Sequence, residues 1–318
     1  MSDLRGGIDL GGTKIQTAVI DAEGAVKGEA RRPTPTEGGP SDVAAAMAEA
    51  MVEAAKAAGV ESGDLQGIGV GSPGDVDEKA GTVSTARNLP GWEGSFALAE
   101  ALRKALGTEV RIGNDVQVAT EAEFHLGAGK GFDSLIGVFW GTGVGGGLIL
   151  GGKPWLGRGA AGEIGHMVIK RGGAKCPCGR RGCMEAYAGR AAMEAEARRR
   201  QEDGEKTDLF KLMEKHDKPR LTSSVWGRAV DHGDKLAIDL IDRAIEALGT
   251  GIASAINLLD PEAIIIGGGL GIRFGERYMD QLLEEMRKHV FFEEMPTVKM
   301  AELGDLGGAV GASLLVSR

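Results

Sequence analysis

The residues best suited to chemistry are the cysteines. The chain has three, all in the segment CPCGRRGCMEAY at residues 176–187: Cys176, Cys178 and Cys183. Their C-x-C-x4-C spacing includes Gly179 and Gly182, which allow the tight turns needed to bring three sulfurs together. A structural zinc ion takes four nitrogen or sulfur ligands in a tetrahedron, and the nearest suitable fourth ligand is His166. We therefore predict that these four residues bind zinc.

Two other interpretations of the cysteines stay open at this point. They could be a redox pair with one idle thiol, or three incidental surface thiols. An odd number of cysteines argues against a disulfide framework, and reduced cytosolic thiols at this spacing favour a metal. The loop also carries Glu185 and would tie back to His166. The metal is therefore expected to shape a polar pocket.

Two glycine-rich turns are candidates for phosphate binding. DLGGTK at 9–14 lies between two predicted strands, so it is not a Walker A loop, which precedes a helix. GTGVGG at 141–146 matches the dinucleotide pattern G-x-G-x-x-G, but the following LILGG predicts a strand and a turn. Either segment alone would be interpreted as a tight hairpin with glycines at positive φ.

Both segments together favour an anion site. Successive backbone N–H groups of a small-residue hairpin can point at phosphate oxygens, and two such hairpins would hold a polyphosphate from both sides. Thr13 and Thr142 add hydroxyl groups, Lys14 adds a positive charge, and Asp9 is a candidate Mg²⁺ ligand, directly or through water. The predicted nucleotide contacts in these turns are Asp9, Gly11, Gly12, Thr13, Lys14, Gly141, Thr142 and Gly143.

The overall composition limits the classes of protein to consider. With 318 residues, two domains are favoured, and 42% apolar residues are enough to fill their cores. The net charge of −9 argues against nucleic-acid binding as the main task. Apolar runs stay well short of the ~18 residues that a membrane span needs, and no secretion signal is evident, so we expect a cytoplasmic protein.

Strands and helices are predicted to alternate along the first part of the chain. Residues up to Pro33 predict three strands, followed by a helix at 43–59 and a strand at 65–77. A helix near 95–106, a strand at 109–113 and a helix at 116–127 complete this block. The alternation predicts α/β layers.

The second part repeats this plan. When Gly11 is aligned with Gly141, the strand–glycine turn–strand pattern at 136–153 matches the one at the start of the chain. A helix-rich stretch follows at 189–257, including a long helix from Asp234. The sequence ends with a strand, a glycine turn and a helix near 273–288, then a small-residue helix at 307–316. The pattern predicts two α/β units related by duplication.

These motifs jointly resemble the ROK family, which is named for repressors, open reading frames and kinases. The segments that carry the resemblance are DLGGTK, GSPGDVD, NDV, GTGVGGG, AGEIGH, C-x-C-G-x-x-G-C-x-E and IIIGGG, and they extend from the first strand to the last helix. Among members, the chain looks most like the bacterial glucokinases. The resemblance implies an actin-like ATPase fold, ribonuclease H-like, with two duplicated α/β domains around a cleft.

The resemblance also implies domain boundaries and partners. We expect a small α/β domain of residues 1–114 plus 305–318, and a large one of residues 115–304 containing the zinc knuckle at 166–185. The C-terminal helix should return to pack on the first domain. A homodimer or homotetramer is expected, with no nucleic-acid or membrane partner.

Each site residue of the family has a counterpart here. The aspartate of NDV, Asp115, is the expected catalytic base, although Asn114 or Asp115 could instead only cap the helix that follows. The expected sugar contacts are Asn114, Glu163, His166, Glu185 and Gly74. Adenosine is expected near the late glycine turn: Gly267, Gly268 and Gly269.

The resulting prediction is a hexose kinase that uses ATP, Mg²⁺ and a structural Zn²⁺, with glucose as the expected sugar. Kinases for N-acetylglucosamine, mannose or fructose, and a non-catalytic sugar sensor, remain alternatives, and ADP or polyphosphate could replace ATP as donor. A repressor of the family would carry a helix-turn-helix domain, which we do not expect because the first strand begins near Arg5. A plain actin-like ATPase or chaperone would lack the EIGH and Cys-x-Glu motifs.

Overall fold

The computed structural model describes residues 3–86 and 89–317 and divides into two compact units. The first unit comprises the chain up to Phe132, the segment Gly147–Ala161 and the residues from Glu302 onward. The second comprises Asp133–Gly146 and Gly162–Ala301. The domain boundaries expected at residues 114 and 304 stay a prediction.

The first five-stranded sheet has the order β3-β2-β1-β4-β7, in which β1 is antiparallel to β2 and parallel to β4. The strands before residue 115 are β1 (Arg5–Leu10), β2 (Lys14–Ile20), β3 (Val26–Pro33), β4 (Ile68–Ser72), β5 (Asp75–Asp77), β6 (Thr82–Ser84) and β7 (Val110–Asn114). The single strand predicted over 65–77 is wrong, because a turn containing Gly74 at φ +93° separates β4 from β5.

Apolar spacing explains the helices of this part of the chain, which are α1 (Pro40–Ala57), α2 (Leu98–Leu106) and α3 (Asp115–Leu126). In α2, Leu98, Leu102 and Leu106 recur every four residues and are all buried, so they form one apolar face. The helix ends at Gly107, whose φ of +74° suits a glycine cap. The predicted helices are confirmed, with ends shifted by about three residues.

The second five-stranded sheet follows the same plan as the first. Its strands are β8 (Leu135–Trp140), β9 (Val144–Leu150), β10 (Lys153–Pro154), β11 (Ala263–Gly267) and β12 (Thr297–Met300), in the order β10-β9-β8-β11-β12. Strand β11 is parallel to both β8 and β12, as β4 is to β1 and β7. The duplication inferred from two glycine turns therefore extends to complete sheets. Strand β12 was not predicted.

The helices of this second part lie between β10 and β12. They are α4 (Glu185–Ala188), α5 (Arg190–Glu202), α6 (Leu209–Lys215), α7 (Ser223–Asp231), α8 (Lys235–Leu259) and α9 (Gly268–Arg287). Asp234 caps α8 by accepting the Ala237 N–H at 2.9 Å. The predicted start of α9 at 273 is wrong, because the glycines of the late turn already belong to the helix. Over the described ranges, no helix has the length and apolar character to cross a bilayer.

The C-terminal helix α10 (Gly307–Leu314) packs directly on the first sheet. A side chain at Gly7 of β1 would collide with the carbonyl oxygen of Ala309, and one at Gly69 of β4 would collide with that of Ala312. Glycine is therefore required at both strand positions, because the helix backbone touches the strand backbone. The packing of α10 on the first sheet agrees with the expectation from the resemblance.

Candidate active site

The turn from β7 into α3 positions the residues expected to perform the chemistry. The Asn114 side-chain oxygen accepts the backbone N–H groups of Val116 and Gln117, both at 3.1 Å, so Asn114 is the N-cap of α3. The Asp115 carboxylate accepts the Val116 N–H at 2.9 Å and is half-buried. Both side chains are thus held in place by the first turn of the helix. Capping by Asn114 is compatible with catalysis by Asp115.

The first glycine hairpin, Gly11–Thr13, joins β1 to β2. Its Gly11 N–H donates to the Lys14 carbonyl at 2.9 Å. Thr34 supports the turn from β3, since its hydroxyl donates to the Gly11 carbonyl at 2.6 Å and its N–H to the Thr13 carbonyl at 3.2 Å. Thr13 itself is exposed and Gly12 is half-exposed. The turn is therefore fixed by Thr34, a residue that the sequence did not single out.

Asp9 and Lys14 lie beside this hairpin. Burial raises the pKa of Asp9 to about 6, with Lys14 opposing the rise and Asp305 adding to it. The Asp9 carboxylate occupies the space that a side chain at Gly308 would need. The Lys14 ammonium donates to the Gln16 side chain at 2.8 Å and lies 3.3 Å from Asp305. A half-buried carboxylate with a raised pKa is a reasonable place for a cation to be held.

The second hairpin, Gly141–Gly143, joins β8 to β9 and is supported by the start of α5. Its Gly141 N–H donates to the Gly143 carbonyl at 2.9 Å. In turn, the Arg190 N–H donates to the Gly141 carbonyl at 3.1 Å, and the Ala191 N–H to the Thr142 carbonyl at 3.0 Å. The Arg190 guanidinium also donates to the Thr142 hydroxyl at 2.7 Å.

The hairpins do not rely on positive φ. Gly11, Gly141 and Gly143 all have φ outside the left-handed region, so the interpretation as turns that need glycine for positive φ fails at these positions. At Gly143 the reason for glycine is instead a close approach, because any side chain there would collide with the Glu185 carboxylate.

The late glycine turn lies next to the second hairpin. Strand β11 ends at Gly267, and α9 begins with Gly268 at φ +81°, where a side chain would collide with the backbone of Trp140. Gly269 follows, and its amide is close to Gly141. The start of a long helix, with its unpaired N–H groups, is thus brought to the hairpin, which is a suitable arrangement for a phosphate or ribose.

The predicted metal ligands form a cluster. The ligand atoms of His166, Cys176, Cys178 and Cys183 all lie within 4.8 Å of one another. The sulfurs of Cys178 and Cys183 are 3.7 Å apart, and His166 Nδ1 is 3.7 Å from the Cys176 sulfur. A tetrahedral zinc ion with Zn–S bonds of ~2.3 Å gives S···S edges of about 3.8 Å. The donor set and its spacing therefore fit a zinc ion.

The backbone of the knuckle explains how the sulfurs meet. Gly179 and Gly182 have φ values of +90° and +84°, as the tight turns require. The Gly179 N–H donates to the Cys176 carbonyl at 2.9 Å, and the Cys176 N–H to the Arg180 carbonyl at 2.9 Å. A side chain at Gly182 would collide with the Lys170 carbonyl.

The three thiols have unequal acidities. Burial opposes ionisation of Cys178, but hydrogen bonds from the backbone and side chain of Arg180 and from the other two cysteines outweigh it and lower its pKa to about 6. Burial raises the pKa of Cys176 to about 12 and also raises that of Cys183. A metal ion held by all three sulfurs requires them as thiolates, so its binding would release the remaining thiol protons.

Glu185 connects the cysteine cluster with the second hairpin. One carboxylate oxygen accepts the Val144 N–H at 2.9 Å, and the other is 3.8 Å from the Cys176 sulfur. Glu163 lies 3.8 Å from His166 Nε2, whereas Nδ1 is the ring nitrogen near the Cys176 sulfur, and the Glu163 side chain is 59% exposed. The second unit therefore collects three expected sugar ligands around one cluster.

Sequence reasoning missed Thr34, Arg190 and Asp305. Each contacts a hairpin or its flanking residues through the folded chain rather than through a local motif. Arg190 follows Gly189, which ends α4, and is the first residue of α5. Its position at a helix start, shortly after the cysteine motif, is the only sequence signal that could have indicated its role. Gly74 was expected to contact the sugar. Its φ of +93° is a separate, conformational reason for a glycine at this position.

Comparison with known proteins gives a consistent result. A family model described as "ROK family" matches residues 5–318. The chain is 32% identical to a glucokinase of Thermotoga maritima, over 95% of each protein, and 30% identical to an N-acetyl-D-glucosamine kinase of Pectobacterium atrosepticum, over 97% of each. A ROK family glucokinase from Streptomyces griseus, solved with glucose and AMPPNP, is 32% identical over 98% of each chain, with a TM-score of 0.84. These matches confirm the predicted actin-like α/β fold.

Proposed function

Because the chain belongs to the ROK family and is a sugar kinase, we propose that it transfers the γ-phosphoryl group of ATP to glucose and forms glucose 6-phosphate. Glucose is favoured among hexoses by the similarity to glucokinases over nearly the whole chain. ATP is favoured as donor because a similar structure holds AMPPNP, an ATP analogue.

The observation that carries the proposal is the position of Glu185. Its carboxylate contacts both the hairpin that is suited to a phosphate and the cysteine cluster that fixes His166. A sugar kinase must present a hydroxyl group and a phosphate in a fixed relation, because phosphoryl transfer depends mainly on positioning and on charge stabilisation. A carboxylate shared by the two features serves that purpose.

Asp115 is the proposed catalytic base. A sugar hydroxyl is a weak nucleophile, and a carboxylate within hydrogen-bond distance orients it and accepts its proton as the O–P bond forms. The capped start of α3 holds Asp115 in one orientation. The amide nitrogen of Asn114 can donate to a sugar hydroxyl, because its oxygen is already used by the helix cap.

The sugar-binding role of the second unit rests on Glu163, His166 and Glu185, with Gly74 as a further proposed contact in the first unit. Carboxylates accept hydrogen bonds from the hydroxyl groups of a polyol. With Nδ1 facing the sulfurs, His166 keeps Nε2 for a hydroxyl group. A zinc ion, when bound, would fix the tautomer and the direction of this ring.

The donor is assigned to the glycine turns. The N–H groups and hydroxyls of Gly11–Lys14 and Gly141–Gly143 are proposed to bind the phosphates, and the start of α9 at Gly267–Gly269 to bind the adenosine. Asp9 would hold Mg²⁺, which supplies neutralisation of the negative charge on the donor phosphates. The raised pKa of Asp9 supports this assignment, since a bound cation would favour the ionised carboxylate.

A kinase for an N-acetylated hexosamine is the second candidate. It is supported by the similarity to the Pectobacterium atrosepticum enzyme over 97% of both chains. One or two pocket contacts decide between hexoses, so the same fold and the same base would serve either substrate.

The proposal also includes the location and assembly of the protein. We propose a cytoplasmic homodimer or homotetramer that binds no nucleic acid, with domain boundaries at residues 114 and 304.

A panel of hexoses with ATP and Mg²⁺ tests the proposal. ADP release is measured for glucose, mannose, fructose and N-acetylglucosamine with the wild type, Asp115→Ala and the control Asp280→Ala, an exposed aspartate on α9. We expect glucose to have the highest kcat/KM, and Asp115→Ala to lower kcat by about 10²–10⁴-fold. The control should match the wild type.

Each contrary outcome has a separate meaning. A higher kcat/KM for N-acetylglucosamine would replace glucose by the second candidate. Binding of glucose without ADP release from any hexose would favour a sugar sensor. Full activity of Asp115→Ala would contradict the assignment of the base while leaving the substrate assignment intact.

A further inference from the structure

A basic pocket adjoins the second hairpin. It has a volume of about 300 Å³ and lies between the first turns of α5 and the residues just before α7. Thr142 of the hairpin forms part of its wall, and the charged residues that line it are Arg190, Glu194, Arg198 and Arg220. The pocket lies wholly within the second unit and uses none of the residues assigned above to sugar or zinc.

The positive charge in this pocket is not balanced. Three arginines and one glutamate line it, so positive charge is in excess there although the net charge of the chain is −9. The single carboxylate is already used, because Glu194 accepts from Arg198 at 2.7 Å and from the Leu221 N–H at 2.9 Å. Glu194 therefore balances the charge of Arg198, which leaves Arg190 and Arg220 without a carboxylate among the residues that line the pocket.

Arg190 is held by neutral acceptors. Its guanidinium donates to the Leu221 carbonyl at 3.0 Å and to the Thr142 hydroxyl at 2.7 Å, so neither contact removes its charge. Burial and the nearby charge of Arg220 lower the pKa of Arg190, with Glu194 opposing. Two half-buried guanidinium groups thus repel one another, and an anion between them would relieve the repulsion.

The chemistry of the ligand follows from the donors. Guanidinium groups present paired N–H donors that match the oxygens of phosphate, and the Thr142 hydroxyl can donate as well, because it accepts from Arg190 through its oxygen. We propose that Arg190, Arg198 and Arg220 form an anion site that binds a phosphate group next to the second hairpin. The phosphate can belong to the phosphate chain of the donor or be free inorganic phosphate.

This site also explains part of the chain for which the motifs give no role. The segment 198–232 carries no recognised signature, yet it supplies Arg198 and Arg220 to the pocket and Leu221 to the contacts of Arg190 and Glu194. The residues between α6 and α7 therefore extend the phosphate-binding surface beyond the glycine turns.

The first experiment uses inorganic phosphate as the probe and does not depend on the proposed function. Thermal unfolding of the full chain is followed in phosphate and in chloride at equal ionic strength, for the wild type, Arg220→Gln, Arg220→Lys and the control Arg228→Gln. Arg228 lies on α7 but outside the pocket. We expect phosphate to raise the Tm of the wild type and the control, to act more weakly on Arg220→Lys and to have little effect on Arg220→Gln.

The second experiment distinguishes the two sources of the phosphate and rests on the proposed kinase activity. KM and kcat are measured for ATP and for tripolyphosphate with the same variants. If the donor supplies the phosphate, Arg220→Gln raises the KM for the donor about tenfold, the loss expected for one charge-assisted hydrogen bond, while kcat changes little. If free phosphate is the ligand, the KM for the donor is the same in the wild type and in Arg220→Gln. Added phosphate then raises the Tm of the wild type but not that of Arg220→Gln.

The proposal is overturned if phosphate leaves the Tm of the wild type unchanged and Arg220→Gln leaves donor KM unchanged. It is also overturned if Arg228→Gln behaves like Arg220→Gln, since the effect would then be one of general charge. A chain that binds phosphate through Arg220 but phosphorylates no sugar would support the anion site and contradict the proposed function.

Discussion

The two glycine hairpins occupy the same place in two sheets of the same strand order, yet their surroundings differ. Next to the first hairpin, β1 carries the acidic Asp9, and Lys14 follows the turn. At the matching positions of the second hairpin stand Phe139, which packs on Gly267, and Val144, whose N–H binds Glu185. Duplication preserved the backbone, whereas the side chains changed.

This difference suggests a division of tasks. The first hairpin has the half-buried carboxylate of Asp9 and the ammonium of Lys14 beside it, which are suited to a magnesium ion and to a negatively charged phosphate, respectively. The second hairpin is connected instead to the cysteine cluster through Glu185 and to α5 through Arg190. We therefore expect the turn of the first unit to bind charge and that of the second to position a carboxylate.

Among the changes that compare the two hairpins, the largest effect is expected at Asp9, the residue with no acidic counterpart in the second unit. We predict that Asp9→Asn lowers kcat/KM about 100-fold or more, because a group that stabilises charge is lost. The same change should raise the Tm of the metal-free chain above pH 6 by a few degrees, because it removes a carboxylate whose ionised form is poorly solvated in the fold.

The sign of the stability effect follows from the pKa. Burial raises the pKa of Asp9 to about 6, so the folded state favours the neutral acid. The cost of ionisation is absent below the pKa of the unfolded chain, grows as the pH rises towards 6, and is complete above it. Thermal unfolding of both proteins between pH 4.5 and 8 measures this, and a constant difference in Tm across the range would contradict it.

Zinc removal should affect the second hairpin and spare the first. We predict one zinc per chain in the purified protein, loss of that zinc in Cys178→Ser, and a decrease in kcat/KM for the sugar of about 10–100-fold. Hydrogen exchange should increase in residues 141–144 and 185–191 and stay constant in residues 11–14. Increased exchange in both hairpins would contradict the proposed link through Glu185.

The smallest effect comes from a matched pair of glycine substitutions. Alanine is allowed by φ at both Gly143 and Gly11. At Gly143 the added methyl group would displace the Glu185 carboxylate, whereas at Gly11 the nearest atom is the Lys14 carbonyl oxygen at 3.1 Å. We predict that Gly143→Ala raises the sugar KM about tenfold, by loss of a charged hydrogen bond, and that Gly11→Ala does so less. Equal sugar KM values for the two variants would remove the distinction between the hairpins.

Much of the fold could be predicted because its signals are local. Buried strands, apolar stripes and glycine turns gave the order of the elements, and the repeat of one turn indicated the second sheet. Weak signals were missed: Thr297–Met300 is a short strand with mixed polarity, and the glycines at 267–269 were interpreted as a turn although α9 begins there. A glycine lowers helix propensity, but it is accepted at a helix start that must approach another backbone closely.

The amino-acid sequence by itself was enough to predict the four residues of the His/Cys cluster, a capped helix start at Asn114 or Asp115 and the two hairpins, because each depends on residues near one another in the chain. Only the tertiary structure decided what surrounds them: the Glu185 carboxylate against Val144, Arg190 against Thr142, and the three arginines of the basic pocket. The contacts of Glu185 with Val144 and of Arg190 with Thr142 join residues 41 and 48 positions apart, where no spacing rule specifies a partner. Local geometry is fixed by backbone preferences, whereas such contacts form only when sheets and helices pack together.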